Sequence, residues 1–272
     1  MVTSRTLHLP DGRTLRAHAD DAPADAPTVV WHHGTPQSGR LLAPVLEAAR
    51  ARGLRVVSYG RPSYGGSSPR PGRDVASAAR DVAAVLDAFE VPTAAAVGAS
   101  GGGPHALACG ALLAERTTAV VSLAGLAPFD GFDWAAGMAS DVALRAAQAG
   151  RAQREAVDDD GVAGFVDTDW EVLSGAWGAL GEDAGPAGEA WPDGAVDDDV
   201  AYAAPWGFDP ADVRVPVLLV HGGRDGVVPV AHARRLLGLL PDAHLWERPR
   251  DGHVSVLRAL PVALDWLVDL LG

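Results

Sequence analysis

Lysine is missing from this chain of 272 residues: every one of its 22 basic residues is arginine. That absence excludes a Schiff-base lysine, a lysine general base and the lysine of a phosphate-binding loop. Cysteine is almost missing too. The single Cys109 leaves no partner for an intrachain disulfide and no cysteine-based metal site, and a lone small hydrophobe of this kind belongs in a core. No histidine pair has a metal-ligand spacing such as H-E-x-x-H, so neither metal nor cofactor is expected. Basic clusters are limited to short arginine pairs and the net charge is −13, which speaks against nucleic-acid binding. Long apolar runs are lacking as well. Met1 to His8 has no apolar core of a signal peptide. The C-terminal run from Val254 to Gly272 is broken by Arg258, Pro261, Asp265 and Asp269, the pattern of an amphipathic helix and not of a membrane span. A cytoplasmic protein without membrane association is expected.

What is present is unevenly distributed. Residues 128–210 hold 18 acidic residues against three arginines, Arg145, Arg151 and Arg154. The rest of the chain is nearly balanced, with 17 acids and 19 arginines. The same segment contains five of the eight tryptophans. A shift this sharp marks a separate structural unit, inserted between flanks of 1–127 and 211–272. Its two acidic triplets, Asp158-Asp159-Asp160 and Asp197-Asp198-Asp199, lack the alternating ligands of a calcium loop and are expected in solvated loops.

Outside the insertion, apolar runs alternate with helical patterns. Thr6 to Leu9 and Thr14 to Ala19 alternate around Asp11-Gly12, a hairpin signal. Strands are expected at Thr28 to Trp31, Leu54 to Tyr59, Thr93 to Val97, Ala119 to Leu123, Val215 to Val220 and Ala243 to Glu247. Helices are expected at Arg40 to Arg52, at Asp74 to Glu90 with Val75, Val82, Val85, Leu86 and Phe89 on one side, after Gly102, and at Val230 to Leu240. The C-terminal run supplies another. Strands alternating with helices imply a mostly parallel sheet covered on both faces.

The most informative stretch is Gly98-Ala99-Ser100-Gly101-Gly102, set between a strand and a helix. Strand, Gly-x-Ser-x-Gly, helix is the nucleophile-elbow pattern, in which a sharp turn exposes the serine oxygen at the top of a sheet. A serine alcohol is a poor nucleophile at neutral pH. It needs a histidine to accept its proton and a carboxylate to orient that imidazole. In the chain order of such sites the acid follows a late strand and the histidine comes last. Asp225 lies just beyond one late strand, and His253 in Asp251-Gly252-His253 beyond the final one. Backbone donors for an oxyanion should come from Gly101 and from the loop His33-Gly34-Thr35-Pro36; Pro36 has no N–H, which leaves Thr35.

Together these residues resemble the small serine hydrolases of the α/β-hydrolase superfamily. The resemblance rests on His33-Gly34-Thr35-Pro36, on Arg61-Pro62-Ser63-Tyr64-Gly65-Gly66-Ser67, on the Ser100 elbow, on the Gly-x-x-Asp-x-x-Val-Pro segment ending at Pro229, and on Asp251-Gly252-His253. One departure is Gly60, where many relatives carry aspartate. The resemblance implies an α/β-hydrolase fold: a mostly parallel eight-stranded sheet with helices on both faces, with 128–210 as a helical cap on a core of 1–127 and 211–272. It implies hydrolysis of a carboxylic ester or lactone through an acyl-enzyme on Ser100, with Asp225 and His253 completing the triad. Serine at the elbow sets the chain apart from haloalkane dehalogenases and epoxide hydrolases, which use aspartate there. The missing lysine excludes lysine-dependent hydroxynitrile lyases.

Alternatives on the same fold remain open. One is an aminopeptidase or amidase, with Asp169 or Glu171 binding a substrate ammonium, although Gly101 stands where proline iminopeptidases usually carry tryptophan. The others are non-hydrolytic members: a C–C hydrolase, a perhydrolase or a cyclisation catalyst. His33, His105, Trp134, Trp170 and Trp177 are candidates to line the substrate pocket. His32 and His33 are expected to shape the oxyanion loop and His221 to pack at a strand end. The remaining histidines, His8, His18, His232 and His244, are expected at the surface or in packing. The acidity of 128–210 favours a neutral or cationic ester. A small-molecule substrate and a possible homodimer are the expected partners.

Overall fold

The computed structural model describes residues 1–158 and 162–271. Eight strands form one sheet: β1 (Val2–His8), β2 (Thr14–Asp20), β3 (Thr28–His32), β4 (Arg55–Tyr59), β5 (Ala94–Ala99), β6 (Thr117–Leu123), β7 (Val217–Gly222) and β8 (Ala243–Arg248). Their order across the sheet is β1-β2-β4-β3-β5-β6-β7-β8. β1 and β2 form an antiparallel hairpin in the register Val2↔Asp20, turning at Gly12 with φ +83°. β2 joins β4 antiparallel, and every later pairing is parallel. β3, β4 and β5 are buried along their whole length, as parallel strands covered on both faces must be.

The helices in chain order are α1 (Ala43–Arg50), α2 (Ala78–Ala88), α3 (Gly102–Leu112), α4 (Val142–Ala149), α5 (Arg151–Glu155), α6 (Asp167–Leu173), α7 (Gly178–Ala190), α8 (Pro192–Ala203), α9 (Ala231–Leu239) and α10 (Leu260–Leu271). The strand pleat sorts the core into two layers. Val29, Trp31 and Val56 pack with Val45 and Ala49 of α1 and with Leu260, Leu264 and Leu267 of α10. Val30 and Val57 face the other way, against Val82, Val85 and Leu86 of α2 and Leu107 of α3. Each fully buried leucine of this kind contributes about 1.5–3 kcal/mol. The apolar side expected of the second helix is buried in full, from Val75 at 0% to Phe89 at 5% exposure.

Helix starts differ from the sequence pattern for local reasons. α2 begins at Ala78, not at Asp74, because the Asp74 carboxylate accepts the Ser77 N–H at 2.9 Å while the Ser77 hydroxyl donates to the Asp74 carbonyl at 2.7 Å. That turn replaces the first helical turn. α1 begins at Ala43, with Pro44 in its first turn. The C-terminal run starts as a 3-10 turn, Ser255–Ala259, before α10.

Helices α4 to α8 all lie between β6 and β7, within the acidic, tryptophan-rich segment. The expectation of solvated loops fails for the second triplet. Asp197, Asp198 and Asp199 sit inside α8, where Asp197 and Asp198 are buried and all three pair with arginine. Asp198 meets Arg61 and Arg73 of the loop after β4 and Asp197 accepts the Ser63 hydroxyl of the same loop at 2.8 Å, whereas Asp199 pairs with Arg154 of α5. Of the first triplet, Asp158 is exposed, and Asp159 and Asp160 lie outside the described residues. Among the described residues no helix is long and apolar enough to cross a membrane.

Candidate active site

Ser100 stands at the carboxyl end of β5 with φ +51°. A non-glycine residue in that region costs about 1–2 kcal/mol, and its surroundings hold it there. Its N–H donates to Leu123 O at 2.8 Å, and its carbonyl accepts the Gly103 N–H at 2.9 Å. The flanking glycines are dictated by close passage. A Cβ on Gly98 would lie 2.2 Å from Gly102 O, and one on Gly102 would lie 2.1 Å from His32 O.

His253 follows β8 and meets the serine. Its Nε2 lies 2.9 Å from Ser100 Oγ, and its Nδ1 lies 2.8 Å from Asp225 Oδ2. The other Asp225 oxygen accepts the N–H groups of Val227 and Val228 at 2.9 and 2.8 Å. His221 Nε2 donates to Val228 O at 2.7 Å and stands 3.4 Å from Asp225. Asp225 is therefore fixed at both oxygens, which orients the imidazole with Nδ1–H toward the acid and a lone pair toward the serine. Burial opposes the imidazolium, but the Asp225 charge and hydrogen bond outweigh it, with Asp169 adding to the effect, and hold the His253 pKa above its ordinary value. Burial also opposes the Asp225 carboxylate. His253 and His221 overcome it and hold Asp225 well below the usual carboxylate range.

The two candidate oxyanion donors are free. Among the described residues the N–H groups of Thr35 and Gly101 have no hydrogen-bond partner. Behind them lies a buried polar network. Thr35 Oγ1 donates to Asp198 at 2.5 Å and lies 3.2 Å from the Tyr202 hydroxyl, which donates to Gly101 O at 2.9 Å. Asp198 also receives Tyr64 OH at 3.0 Å, Arg61 Nη2 at 2.6 Å and Arg73 Nη2. Asp198, Arg61 and Arg73 are all buried. Burial opposes the Asp198 charge, yet the two guanidinium groups hold its carboxyl well below the ordinary range.

Other carboxylates of the helices between β6 and β7 also reach loops beside the sheet, as Asp197 does in accepting the Ser63 hydroxyl at 2.8 Å. Asp169 of α6 accepts the N–H groups of His253, Val254 and Ser255 and the Ser255 hydroxyl. Asp183 of α7 accepts the Ser38 N–H and hydroxyl at 2.9 and 2.6 Å, and pairs with Arg40 at 3.0 Å. Sequence reasoning missed the structural roles of Asp183, Asp198, Arg61, Arg73 and Tyr202. No spacing announces them; the hint was a surplus of acid in the insertion facing a balanced core.

The alpha/beta hydrolase family profile matches residues 29–265. The chain belongs to the alpha/beta hydrolase family. Solved structures similar to it across nearly the whole chain share that fold. A hydrolase from Pseudomonas aeruginosa PA01 is 22% identical, with a TM-score of 0.68, covering 99% of this chain and 98% of its own. The enol-lactonase from Burkholderia xenovorans LB400 is 20% identical with a TM-score of 0.74, covering 98% and 99%. An esterase from Rhodococcus sp. ECU1013 is 20% identical with a TM-score of 0.71, covering 99% of each chain.

In this alpha/beta hydrolase the candidate pocket residues take different places. His33 is buried and saturated: its Nδ1 donates to Gly34 O at 2.7 Å and its Nε2 accepts the Arg61 N–H at 3.1 Å. His105 donates to Gly101 O at 2.8 Å and meets the Tyr202 ring edge-on. Burial, with Arg61 nearby, keeps both imidazoles neutral, their pKa values well below the ordinary one. Trp177 is buried in the packing layer of α1 and α10. Trp134 walls a cavity of about 10 Å³ with Phe129, Leu144, Tyr202 and His232, room for about one water. Trp170 is 49% exposed and packs on Phe165, whose ring stacks on His253. Among the described residues no group of three His, Cys, Asp or Glu gathers as a metal cluster. Cys109 is buried beside His32, its thiol pushed up to about 12 by burial, which leaves no thiolate for chemistry.

Proposed function

We propose that this alpha/beta hydrolase is a serine esterase or lactonase that works through an acyl-enzyme on Ser100. The observation that carries the reading is the continuous line from Ser100 Oγ through His253 to Asp225, at 2.9 and 2.8 Å, beside two unpartnered N–H groups. His253 accepts the serine proton as Oγ attacks the carbonyl carbon. The carbonyl oxygen, now an anion, is held by the N–H groups of Thr35 and Gly101. The tetrahedral intermediate collapses, His253 protonates the leaving alcohol, and the acyl-enzyme remains. Water then attacks that ester, its proton passes to His253, and the carboxylic acid departs with Ser100 restored. Asp225 keeps the imidazole in the working tautomer throughout. An enol-lactonase and an esterase among the similar folds agree with this class of bond.

Residues 128–210 serve in this reading as a cap over a core of 1–127 and 211–272. An amidase reading loses Asp169 as an ammonium-binding residue, because backbone donors engage its carboxylate; Glu171 is exposed and lies 3.4 Å from Arg258. The acidic segment favours neutral or cationic esters over anionic ones.

A fluorophosphonate probe tests the reading together with a series of p-nitrophenyl esters. Wild type should be labelled and should turn over esters, and Ser100→Ala should do neither. Equal ester turnover by Ser100→Ala would overturn the assignment.

A further inference from the structure

We infer that Arg61 is a positioning residue for the oxyanion hole, strengthening the Thr35 donor through the carbonyl of the same peptide unit, and that Asp198 of α8 holds it there. The inference rests on the proposed acyl-transfer reading. The peptide linking Gly34 to Thr35 presents the Thr35 N–H on one side and the Gly34 carbonyl on the other. That carbonyl accepts two hydrogen bonds, from His33 Nδ1 at 2.7 Å and from Arg61 Nη2 at 3.2 Å. Donors on a carbonyl oxygen draw electron density from the amide and make its N–H a stronger donor, and a charged donor does so most. The Thr35 N–H itself is left without a partner among the described residues, which is what a donor reserved for a transient anion requires.

Arg61 acts on this peptide twice. Its backbone N–H occupies His33 Nε2 at 3.1 Å, which fixes the proton on Nδ1, the nitrogen that faces Gly34 O. Its guanidinium then adds bonds to the carbonyls of His33 and Gly34 and to Thr35 Oγ1. The forked guanidinium geometry is needed for this; a lysine ammonium cannot reach several carbonyls in one plane. A buried cation also needs a counter-charge. Asp198 supplies it, with Oδ2 at 2.6 Å from Nη2 and Oδ1 at 3.2 Å from Nε. One carboxylate shared between Arg61 and Arg73 leaves the cluster with net positive charge behind the position where negative charge develops.

The experiment compares an ester with its thionoester analogue, in which carbon–sulfur replaces the carbonyl. Sulfur accepts hydrogen bonds weakly, so a stronger oxyanion donor helps the oxygen substrate far more. Arg61→Met, Arg61→Lys and Asp198→Asn should lose roughly 10- to 100-fold in kcat on the oxygen ester with KM nearly unchanged. The ester-to-thionoester rate ratio should fall with it, and the Lys variant should not rescue. Arg61→Lys, which keeps a cation against Asp198, carries the test if Arg61→Met or Asp198→Asn unfolds the protein. Thr35→Val keeps both the backbone N–H and the Arg61 bond to Gly34 O, so its ratio should stay near that of wild type. Equal losses on both substrates, a loss confined to KM, or an unmoved ratio in Arg61→Lys would overturn the inference. Fluorophosphonate labelling separates this from the underlying reading. An unlabelled wild type overturns both, whereas a labelled wild type with unmoved ratios overturns the Arg61 role alone.

Discussion

The Asp169 carboxylate accepts the backbone N–H of His253 at 3.2 Å, so a residue of the inserted helices holds the main chain of the candidate general base. The same side chain accepts Val254 N–H at 2.9 Å, Ser255 N–H at 2.7 Å, the Ser255 hydroxyl at 2.8 Å and Val166 N–H at 3.0 Å. Five donors exhaust a carboxylate, and an amide cannot replace it, because one of its ends would present N–H to N–H.

Asp169→Asn should therefore destabilise the fold by about 1–3 kcal/mol and lower kcat with Ser100, Asp225 and His253 all in place. Urea melts beside ester kinetics check both effects. A variant with wild-type kcat would show that the histidine loop holds its geometry unaided.

Gly252→Ala should reproduce that defect. A Cβ there would lie 2.2 Å from Asp169 Oδ2 and 2.5 Å from a Val166 methyl, forcing the carboxylate away from the loop. The melting temperature and kcat should fall together, as for Asp169→Asn. The double variant should add little to either single one, since both break the same contact.

The pH dependence follows from the direction of the His253 shift. Its pKa lies above the ordinary 6.5, and the base works only when neutral, so kcat/KM should rise with pH through that raised pKa and then level off. Asp225→Asn should move the limb to lower pH and drop the plateau by roughly a thousand-fold or more. Stability runs the other way. The His253–Asp225 ion pair contributes fully below the unfolded histidine pKa, and its contribution is lost as pH rises through the folded one. Ester kinetics and denaturant melts across this range measure the two opposite slopes.

Gly101→Ala should slow acyl transfer, because a Cβ there would meet the Tyr202 hydroxyl at 2.3 Å and Thr35 Oγ1 at 2.6 Å. Adding Tyr202→Phe relieves the first clash only, so partial recovery of the phosphonate labelling rate is expected. Full recovery would show that Thr35 does not crowd this position.

A panel of esters matched in size but differing in acyl charge tests the acidic segment. Neutral esters should be turned over faster than anionic ones, with the gap narrowing at high salt. Faster turnover of the anionic members would mean that paired acids such as Asp183 and Asp198 cancel the field at the site.

The alternation of strands and helices, the mostly parallel sheet and the buried side of the second helix were legible because they follow from periodicity, and the elbow turn because its glycines have a local steric reason. Motif order singles out Ser100, Asp225 and His253, and their side chains lie within hydrogen-bond distance in that line, at 2.9 and 2.8 Å. Asp198 and Asp199 show what a linear reading loses. They are neighbours of the same type, yet one side chain is fully buried against Arg61 and Arg73 while the other pairs with Arg154 at 15% exposure. Counting charges records both as acidity; only the helix phase and the position of distant arginines separate them. The sequence offers Asp169 as a binder of a substrate ammonium, but five protein donors occupy its carboxylate. The tryptophans drew attention as pocket walls for similar reasons, and Trp177 spends its ring on core packing.

Asp169, Asp183 and Asp198 also bear on how such a chain is rebuilt. Each completes the hydrogen bonds of a different loop beside the sheet, so the α4–α8 segment and the sheet are not interchangeable modules. Grafting the equivalent segment of another family member onto this sheet would strand Arg61 and Arg73 without a counter-charge and leave the loop of residues 252–255 without its acceptor. A graft that works must carry Thr35, Ser38, Arg61, Arg73 and that loop along with it. Altering substrate preference in this enzyme is accordingly a matter of replacing single side chains between the tethers, with the tethers themselves left alone.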